Sequence, residues 1–376
     1  MIAATPLSGR ASTGQAGGAP VLVMAGGTGG HVFPALAVAN VLRERGVPVV
    51  WLGVPDSMES RLVPANGFPI EWLRVRGIRG KGAGAWLMAP LAILRAVLQA
   101  MAILRRVRPR AVLGAGGYVS GPGGIAAWLL RVPLLIHEQN AIPGLTNRWL
   151  AKLAGRVLQA FPDSFDAAVD ARTVGNPVRA DIAALLPPVI RFADRTDRTR
   201  LLVVGGSLGA QRLNAMVPEA LSRIPAPQRP QVRHQAGARG IDAARAAYAQ
   251  ARVQADVTPF IDDMAGAYGW ADLAVCRAGA MTIAELQAAG LGALLIPFPA
   301  ASDDHQTKNA AVLVKLGAGR VLQERDMTVE RLQACILDLI ADRAALLTMA
   351  QAARRSRVID AAAQVADFCM AAGAPA

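Results

Sequence analysis

The chain has little of what a metal centre or a disulfide framework needs. Among its 376 residues are three cysteines, Cys276, Cys335 and Cys369, far apart and without Cys-x-x-Cys spacing, and only four histidines. That usage fits a reducing, cytoplasmic compartment and supplies no zinc cage. Asp-x-Asp occurs nowhere. Enzymes that grip a diphosphate through a divalent ion draw on paired carboxylates. Here a diphosphate would be neutralised by amides, a helix end and arginines, with no metal and no cofactor. Aromatic residues make up 5% of the chain, too few for a base-stacking surface, which argues against a nucleic-acid partner. The longest apolar stretch, residues 83–104, is broken by Pro90, Arg95 and Gln99 and is a poor membrane span. The first twenty residues are rich in Ala, Gly, Ser and Thr without an apolar centre. They are expected to form a disordered tail and not a signal peptide.

Acidic residues are also scarce, 27 against 40 Lys and Arg, for a net charge of +13. Such an excess suits nucleic acid, an anionic membrane or phosphorylated substrates. It is concentrated between residues 70 and 110, where nine basic residues face one acid, Glu71. Taken by itself, that segment is better read as a solvated arginine-rich face. With 53% hydrophobic residues, the chain can bury sizeable cores and is long enough for two domains.

What is present is a repeated strand–glycine–helix pattern. The segment VLVMAGGTGGH at 21–31 is echoed by LLVVGGSLGA at 201–210. Each is an unalternating apolar run, as in a buried parallel strand, followed by glycines that let backbone approach a ligand. A helix N-terminus after such a turn favours an anion. Strands are expected at 21–25, 49–53, 111–113, 133–137, 201–204, 273–276 and 293–296, with a helix at 34–45. Another helix, at 85–107, carries Leu87, Leu91, Leu94, Leu98 and Met101 on one stripe expected to face the core. This alternation predicts an α/β fold of two Rossmann-like, doubly wound domains facing a cleft. The expected division is a tail at 1–20, domains at 21–178 and 179–357, and a terminal helix at about 358–376 packing back on the first domain.

Five places carry candidate chemistry. His31 follows the last glycine of the first loop. A helix N-terminus disfavours an imidazolium, so His31 is a candidate general base, or else a helix residue bonding a nearby loop. Residues 114–124 hold six glycines in eleven positions, a density that reads as a ligand loop. His137-Glu138-Gln139-Asn140 stands at the carboxyl end of a strand, where open α/β sheets place ligands; a capped loop is the alternative. Thr282 and Glu285 fit a capping box, or a phosphate and ribose site. Residues 302–309 form a polar island suited to sugar hydroxyls, or a plain exposed loop.

Taken together, GGTGGHVFP (26–34), GAGGYVSGPGG (114–124), HEQN (137–140), GNPVR (175–179), GGSLGA (205–210), FIDDM (260–264), CRAGAMTIAE (276–285) and DHQTKN (304–309) resemble the MurG family. These glycosyltransferases add N-acetylglucosamine to the undecaprenyl-linked muramyl-pentapeptide precursor of peptidoglycan. The resemblance covers the chain from Val21 onward and implies a GT-B fold with inverting transfer from UDP-N-acetylglucosamine to a C4 hydroxyl. It places Ile261 at the uracil, Ala280, Met281, Thr282, Ile283 and Ala284 at the nucleotide and diphosphate, and Glu285 at the ribose. Ser207 and Arg179 would meet the diphosphate and Gln306 the sugar. Thr28, Gly29, Gly30 and Asn140 would approach the transferred sugar, with His31 as base and Glu138 as runner-up or orienting partner. Gly116, Gly117, Tyr118 and Ser120 would form the acceptor's diphosphate loop. The segment 299–302 is about one residue longer than the family pattern, which shifts His305 and Gln306 against it. A lipid-linked acceptor also implies peripheral attachment to the cytoplasmic face of the inner membrane. The expected contact is the loop region at 77–88, through Arg79, Lys81 and Trp86.

Three rivals remain at this point. One is another GT-B enzyme, such as an epimerase or a transferase to a different acceptor. The second is a nucleotide-sugar-binding regulator. The third is a dinucleotide oxidoreductase, which needs an acid about twenty residues beyond the first glycine loop; Asp56 is a weak candidate.

Overall fold

The computed structural model describes residues 18–74, 83–206, 210–299 and 304–372, and for residues 83–89 the backbone alone. Two wholly parallel sheets follow one another along the chain. The first contains β1 (Val21–Met24), β2 (Val49–Gly53), β3 (Ile70–Trp72), β4 (Ala111–Gly114), β5 (Leu134–Glu138), β6 (Arg156–Gln159) and β7 (Arg172–Thr173). Its order is β3-β2-β1-β4-β5-β6-β7. The second contains β8 (Arg200–Val204), β9 (Gln231–Gln235), β10 (Asp256–Thr258), β11 (Leu273–Cys276), β12 (Gly292–Leu295) and β13 (Gly319–Val321), in the order β10-β9-β8-β11-β12-β13.

The central strands are apolar on both faces because helices cover both sides of each sheet. In the first sheet Met24 pairs with both Leu52 and Gly114. In the second, Val204 pairs with both Gln235 and Cys276. The loops leaving these strands therefore start at one level. They flank the points where strand order reverses, between β1 and β4 and between β8 and β11, which is where such sheets bind ligands.

The helix Ala361–Ala372 returns to the first sheet. Its Val365, Ala366 and Cys369 are buried in the same core as Val32, Ala35 and Ala39 of the helix Gly29–Glu44. Arg45 pairs with Asp367 at 2.6 Å, and Arg110 donates to the Met370 carbonyl at 3.1 Å.

Two expectations need correction. The first long helix spans Gly29–Glu44 and so begins five residues earlier than residue 34. Thr28, in extended backbone, is its N-cap, and the Thr28 carbonyl accepts from the amides of His31 and Val32. In the helix Ala83–Val107 the Leu87 side chain lies outside the described residues, and the leucines of the stripe that are described do not face the core. Leu91, Leu94 and Leu98 are exposed, Met101 is half-buried, and the buried face is Ala96, Val97, Ala100, Ile103 and Leu104. This helix lies against the helix Ser120–Leu129, and the short side chains of Ala96 and Ala100 permit that approach. Short side chains allow the close contact, and Val97, Ile103 and Leu104 fill it.

Candidate active site

A cavity of about 500 Å³ opens between the carboxyl ends of the two sheets. The first domain contributes the start of the helix Gly29–Glu44, the Gly116–Gly117 turn and residues 138–147; the second contributes Gly279, Ala280, Met281, Thr282 and His305. Two helix N-termini thus converge on one space, because the helix Ala280–Ala289 opens there with Gly279 as its cap. Both present free N–H groups and the positive end of a dipole, a setting that favours an anion.

The glycines make the convergence possible. Gly117 has φ +88°, and a Cβ there would sit 2.3 Å from the Gly26 carbonyl oxygen. A Cβ on Gly116, at φ +100°, would sit 2.7 Å from the His31 ring. Any side chain at either position would push the two loops apart.

In the first wall, side chains hold side chains. His31 Nδ1 and Gln139 Oε1 are 3.0 Å apart, Gln139 Nε2 and His137 Nδ1 are 3.1 Å apart, and His137 Nε2 lies 2.9 Å from the Gly175 carbonyl. Burial pushes His137 below the usual imidazole range. Glu138 is buried and spends both oxygens. Oε1 accepts from the amide and side chain of Asn140, and Oε2 from the Gly144 amide and the Asn147 side chain. Glu138 therefore acts as the anchor of the 140–147 loop. Beneath the first glycine turn, Glu59 is wholly buried and accepts from the amides of Gly27 and Val54.

The second wall offers the backbone and first-turn side chains of one helix, with His305 beside them. Thr282 lines the cavity within the first turn of its helix, and no side chain caps that helix, so the capping box does not form. Further along, Glu285 accepts from the Tyr268 hydroxyl at 2.9 Å. Burial raises the Glu285 carboxyl above its ordinary range, opposed by that hydrogen bond and by Arg179. Burial likewise holds Tyr268 well above the usual phenol range, so it donates. Cys276 is also buried, with its thiol pushed up to about 12, and is no nucleophile. Asn309 joins the walls: its Oδ1 accepts from the Ala141 amide at 2.8 Å, and its Nδ2 donates to the Ala278 carbonyl at 3.2 Å and to Asn140 Oδ1 at 3.3 Å.

The structure gathers Thr28, Gly30, His31, Gly116, Gly117, Glu138, Asn140, Ala280, Met281 and Thr282 around the cavity. Gly29 sits in the same helix start. Other candidates lie elsewhere. Ile283 is buried in the core, and Ala284 lines a separate cavity of about 370 Å³ behind the cleft. The Ser120 hydroxyl is buried and tied to the Gly116 backbone, while Tyr118 points to solvent. Gln306 spends its oxygen on the amides of Ala278 and Phe298, and His305 lines the cavity in its place. Ile261 and Arg179 are half-buried outside the cavity lining. Ser207, Arg79, Lys81 and residues 300–303 lie outside the described residues, as does the Trp86 side chain. Among the described residues, no group of three or more His, Cys, Asp or Glu could hold a metal ion. Sequence reasoning reached Gln139 and Asn309 only as members of the HEQN and DHQTKN segments, without a role of their own, and missed Asn147 and Tyr268. Their spacing carries no signal, because each matters through the bond it makes and not through a motif.

The glycosyltransferase family 28 N-terminal domain matches residues 21–159, and the family 28 C-terminal domain matches residues 200–365. A UDP-N-acetylglucosamine–N-acetylmuramyl-(pentapeptide) pyrophosphoryl-undecaprenol N-acetylglucosamine transferase from Alkalilimnicola ehrlichii is 57% identical over 351 residues, 93% of this chain and 98% of that one. A transferase of the same name from Nitrosococcus oceani is 55% identical over 350 residues, again 93% of this chain and 98% of that one. The crystal structure of Acinetobacter baumannii MurG superposes with a TM-score of 0.82 at 41% identity, covering 93% of this chain and 99% of that one. The chain belongs to the MurG family. Membership accounts for both parallel sheets and the cleft between them as a GT-B architecture. A calicheamicin glycosyltransferase, at 17% identity and a TM-score of 0.66, shares the fold alone, covering 94% of this chain and 98% of that one.

Proposed function

We propose that the chain is an inverting glycosyltransferase of peptidoglycan synthesis. It moves N-acetylglucosamine from UDP-N-acetylglucosamine to the C4 hydroxyl of undecaprenyl-diphospho-N-acetylmuramyl-pentapeptide. The observation that carries this reading is one cleft in which two helix N-termini meet a positioned imidazole. The acceptor oxygen attacks the anomeric carbon from the face opposite UDP. Its proton passes to His31 Nε2, a β-1,4 bond forms, and the C1–O bond breaks with its electron pair leaving on the UDP β-phosphate. Negative charge grows on that departing diphosphate, so preorganised amides, helix ends and Arg179 stabilise the transition state without a metal.

Glu285 would take the ribose hydroxyls, Tyr268 fixing one of its oxygens. Residues 179–357 would bind the donor, and residues 21–178 would supply the acceptor and membrane side. Glu138 orients Asn140 and the 140–147 loop and is not the base, since both its oxygens are spent.

Among the described residues no helix is long and apolar enough to cross a membrane. Peripheral attachment at the cytoplasmic face of the inner membrane is supported by an apolar face of the first domain. Leu91, Leu94 and Leu98 are exposed on one helix, Trp128 on its neighbour, and Leu145 and Trp149 on the next, with Lys152 over the Trp149 ring at 4.8 Å. Leu145 also lines the cavity, so a lipid surface met there would lie beside the acceptor site. Apolar groups dipping between headgroups, with Lys and Arg at their margin, suit an anionic leaflet.

The direct test is transfer of labelled N-acetylglucosamine to the lipid-linked acceptor in the presence of EDTA. Product under chelation supports acceptor, donor and metal-free site together. UDP release without glycolipid would leave the donor site standing and overturn the acceptor. Vesicle binding that ignores anionic lipid and salt would remove the membrane assignment.

A further inference from the structure

We propose that Gln139 is a positioning residue that fixes His31 as the Nδ1–H tautomer, leaving Nε2 as a lone pair facing the cleft. The inference rests on His31 as the base in the proposed function, and it supplies what that role requires: an imidazole with its proton on the far nitrogen.

Two backbone carbonyls, of Gly175 and His137, can only accept, and they fix where the hydrogens lie. The Gly175 carbonyl lies 2.9 Å from His137 Nε2, so that nitrogen carries the hydrogen. His137 is buried and held neutral by desolvation, which leaves Nδ1 as an acceptor. Gln139 Nε2 lies 3.1 Å from that nitrogen and 3.1 Å from the His137 carbonyl, so both amide hydrogens are placed. Either contact alone would orient the amide; the two agree. Gln139 Oε1 must then face His31, and at 3.0 Å an amide oxygen can only accept from His31 Nδ1–H. Which ring nitrogen keeps its proton is set by the bond the other makes. The Gln139 backbone is pinned as well, because its carbonyl accepts from the Asn176 side chain at 3.0 Å. The His31 ring lies against Gly116, where a Cβ would intrude at 2.7 Å, so the imidazole is held from a second side. Its half-buried position at the cavity leaves the Nε2 edge for the acceptor hydroxyl.

The arrangement puts an amide and a neutral imidazole where hydrolases commonly use a carboxylate. An amide orients the base without placing a negative charge beside a site that must hold a diphosphate. The other titratable groups lining the cavity are Glu138, spent on its loop, and His305 on the opposite wall.

The test uses the full chain with ¹⁵N-labelled histidine, reading the His31 tautomer from two-bond proton–nitrogen couplings, assigned by their loss in His31→Ala. The wild type should show Nδ1–H. Gln139→Met removes the acceptor at nearly equal volume. It should mix the tautomers and lower kcat ~10–100-fold, within the range of general base catalysis, with donor KM unchanged. Gln139→Glu restores an acceptor and adds a charge. It should keep the tautomer and move the acid limb of kcat/KM to higher pH. An Nε2–H tautomer in the wild type overturns the proposal. So does a Gln139→Met variant that raises donor KM and lowers Tm without changing the tautomer. A His31→Ala variant with undiminished kcat overturns the base reading instead, even where the couplings show Nδ1–H.

Discussion

The two walls of the cleft are built on different principles. On the first-domain side, functional side chains are held by other side chains: His31 by Gln139, Gln139 by His137, Asn140 and Asn147 by Glu138. On the second-domain side, a helix N-terminus with Ala280, Met281 and Thr282 lines the space beside His305, and Glu285, outside that lining, is steadied by the Tyr268 phenol. Bonds between side chains give direction, which proton transfer demands. Backbone amides give a diffuse positive field, which suits a phosphate that must bind and then leave. The difference points to chemistry residing in one wall and donor affinity in the other.

The sharpest way to break that division is His31→Ala. Turnover should fall ~10²–10⁴-fold with donor Kd within about twofold, measured by steady-state kinetics and calorimetry. A matching loss of affinity would mean that His31 serves binding. The mirror experiment is Glu285→Ala, which should weaken the donor ~10–100-fold, the scale of a hydrogen bond to a charged group, while kcat at saturation holds. Tyr268→Phe should act in the same direction by only ~3–10-fold, since it removes one neutral donor. Acidification should sharpen the contrast further. Because burial raises the Glu285 carboxyl, donor affinity should fall at a pH above the ordinary glutamate range of about 4.5, before stability is lost.

Stability offers the smallest test, and here the two domains should behave alike. Each buries one neutral histidine, His137 in the first and His234 in the second, the latter lowered to about 4. Below pH ~6.5 the unfolded chain takes up protons that these folded sites refuse, so stability is full above that pH and declines towards 4. Tm measured from pH 7 to 5 should fall, and the slope should flatten in His234→Gln. A flat profile in the wild type would mean that both rings charge freely in the folded state.

Much of the architecture was legible because of burial. Strands covered on both faces, such as β1 and β11, read as unalternating apolar runs. Strands β3, β9 and β10 escaped because IEW, QVRHQ and DVT are short or polar. In β9 the polarity is internal: His234 bonds Tyr248 on one nitrogen and Asn214 on the other. Motif glycines marked where the cleft would lie, since backbone approach leaves a compositional trace. What the chain did not disclose was direction. Glu138 read equally as a base or an anchor, and only the bonds its oxygens accept reveal that it holds the 140–147 loop. Ile283 and Ala284 share a helix with Thr282 yet face away, because consecutive helical residues point some 100° apart. The leucines of the helix Ala83–Val107 misled for a related reason: a stripe shows that a helix has two faces but not which of them meets the core.

The helix Ala361–Ala372 sets the order in which the protein can be finished. The first domain emerges first during synthesis, yet the helix Gly29–Glu44 keeps an uncovered apolar strip until Val365, Ala366 and Cys369 arrive. The second domain, whose sheet and buried cores draw on residues 160–353, can complete itself earlier. The half that leaves the ribosome first is thus the last to close, and any pause in translation before residue 361 leaves it open.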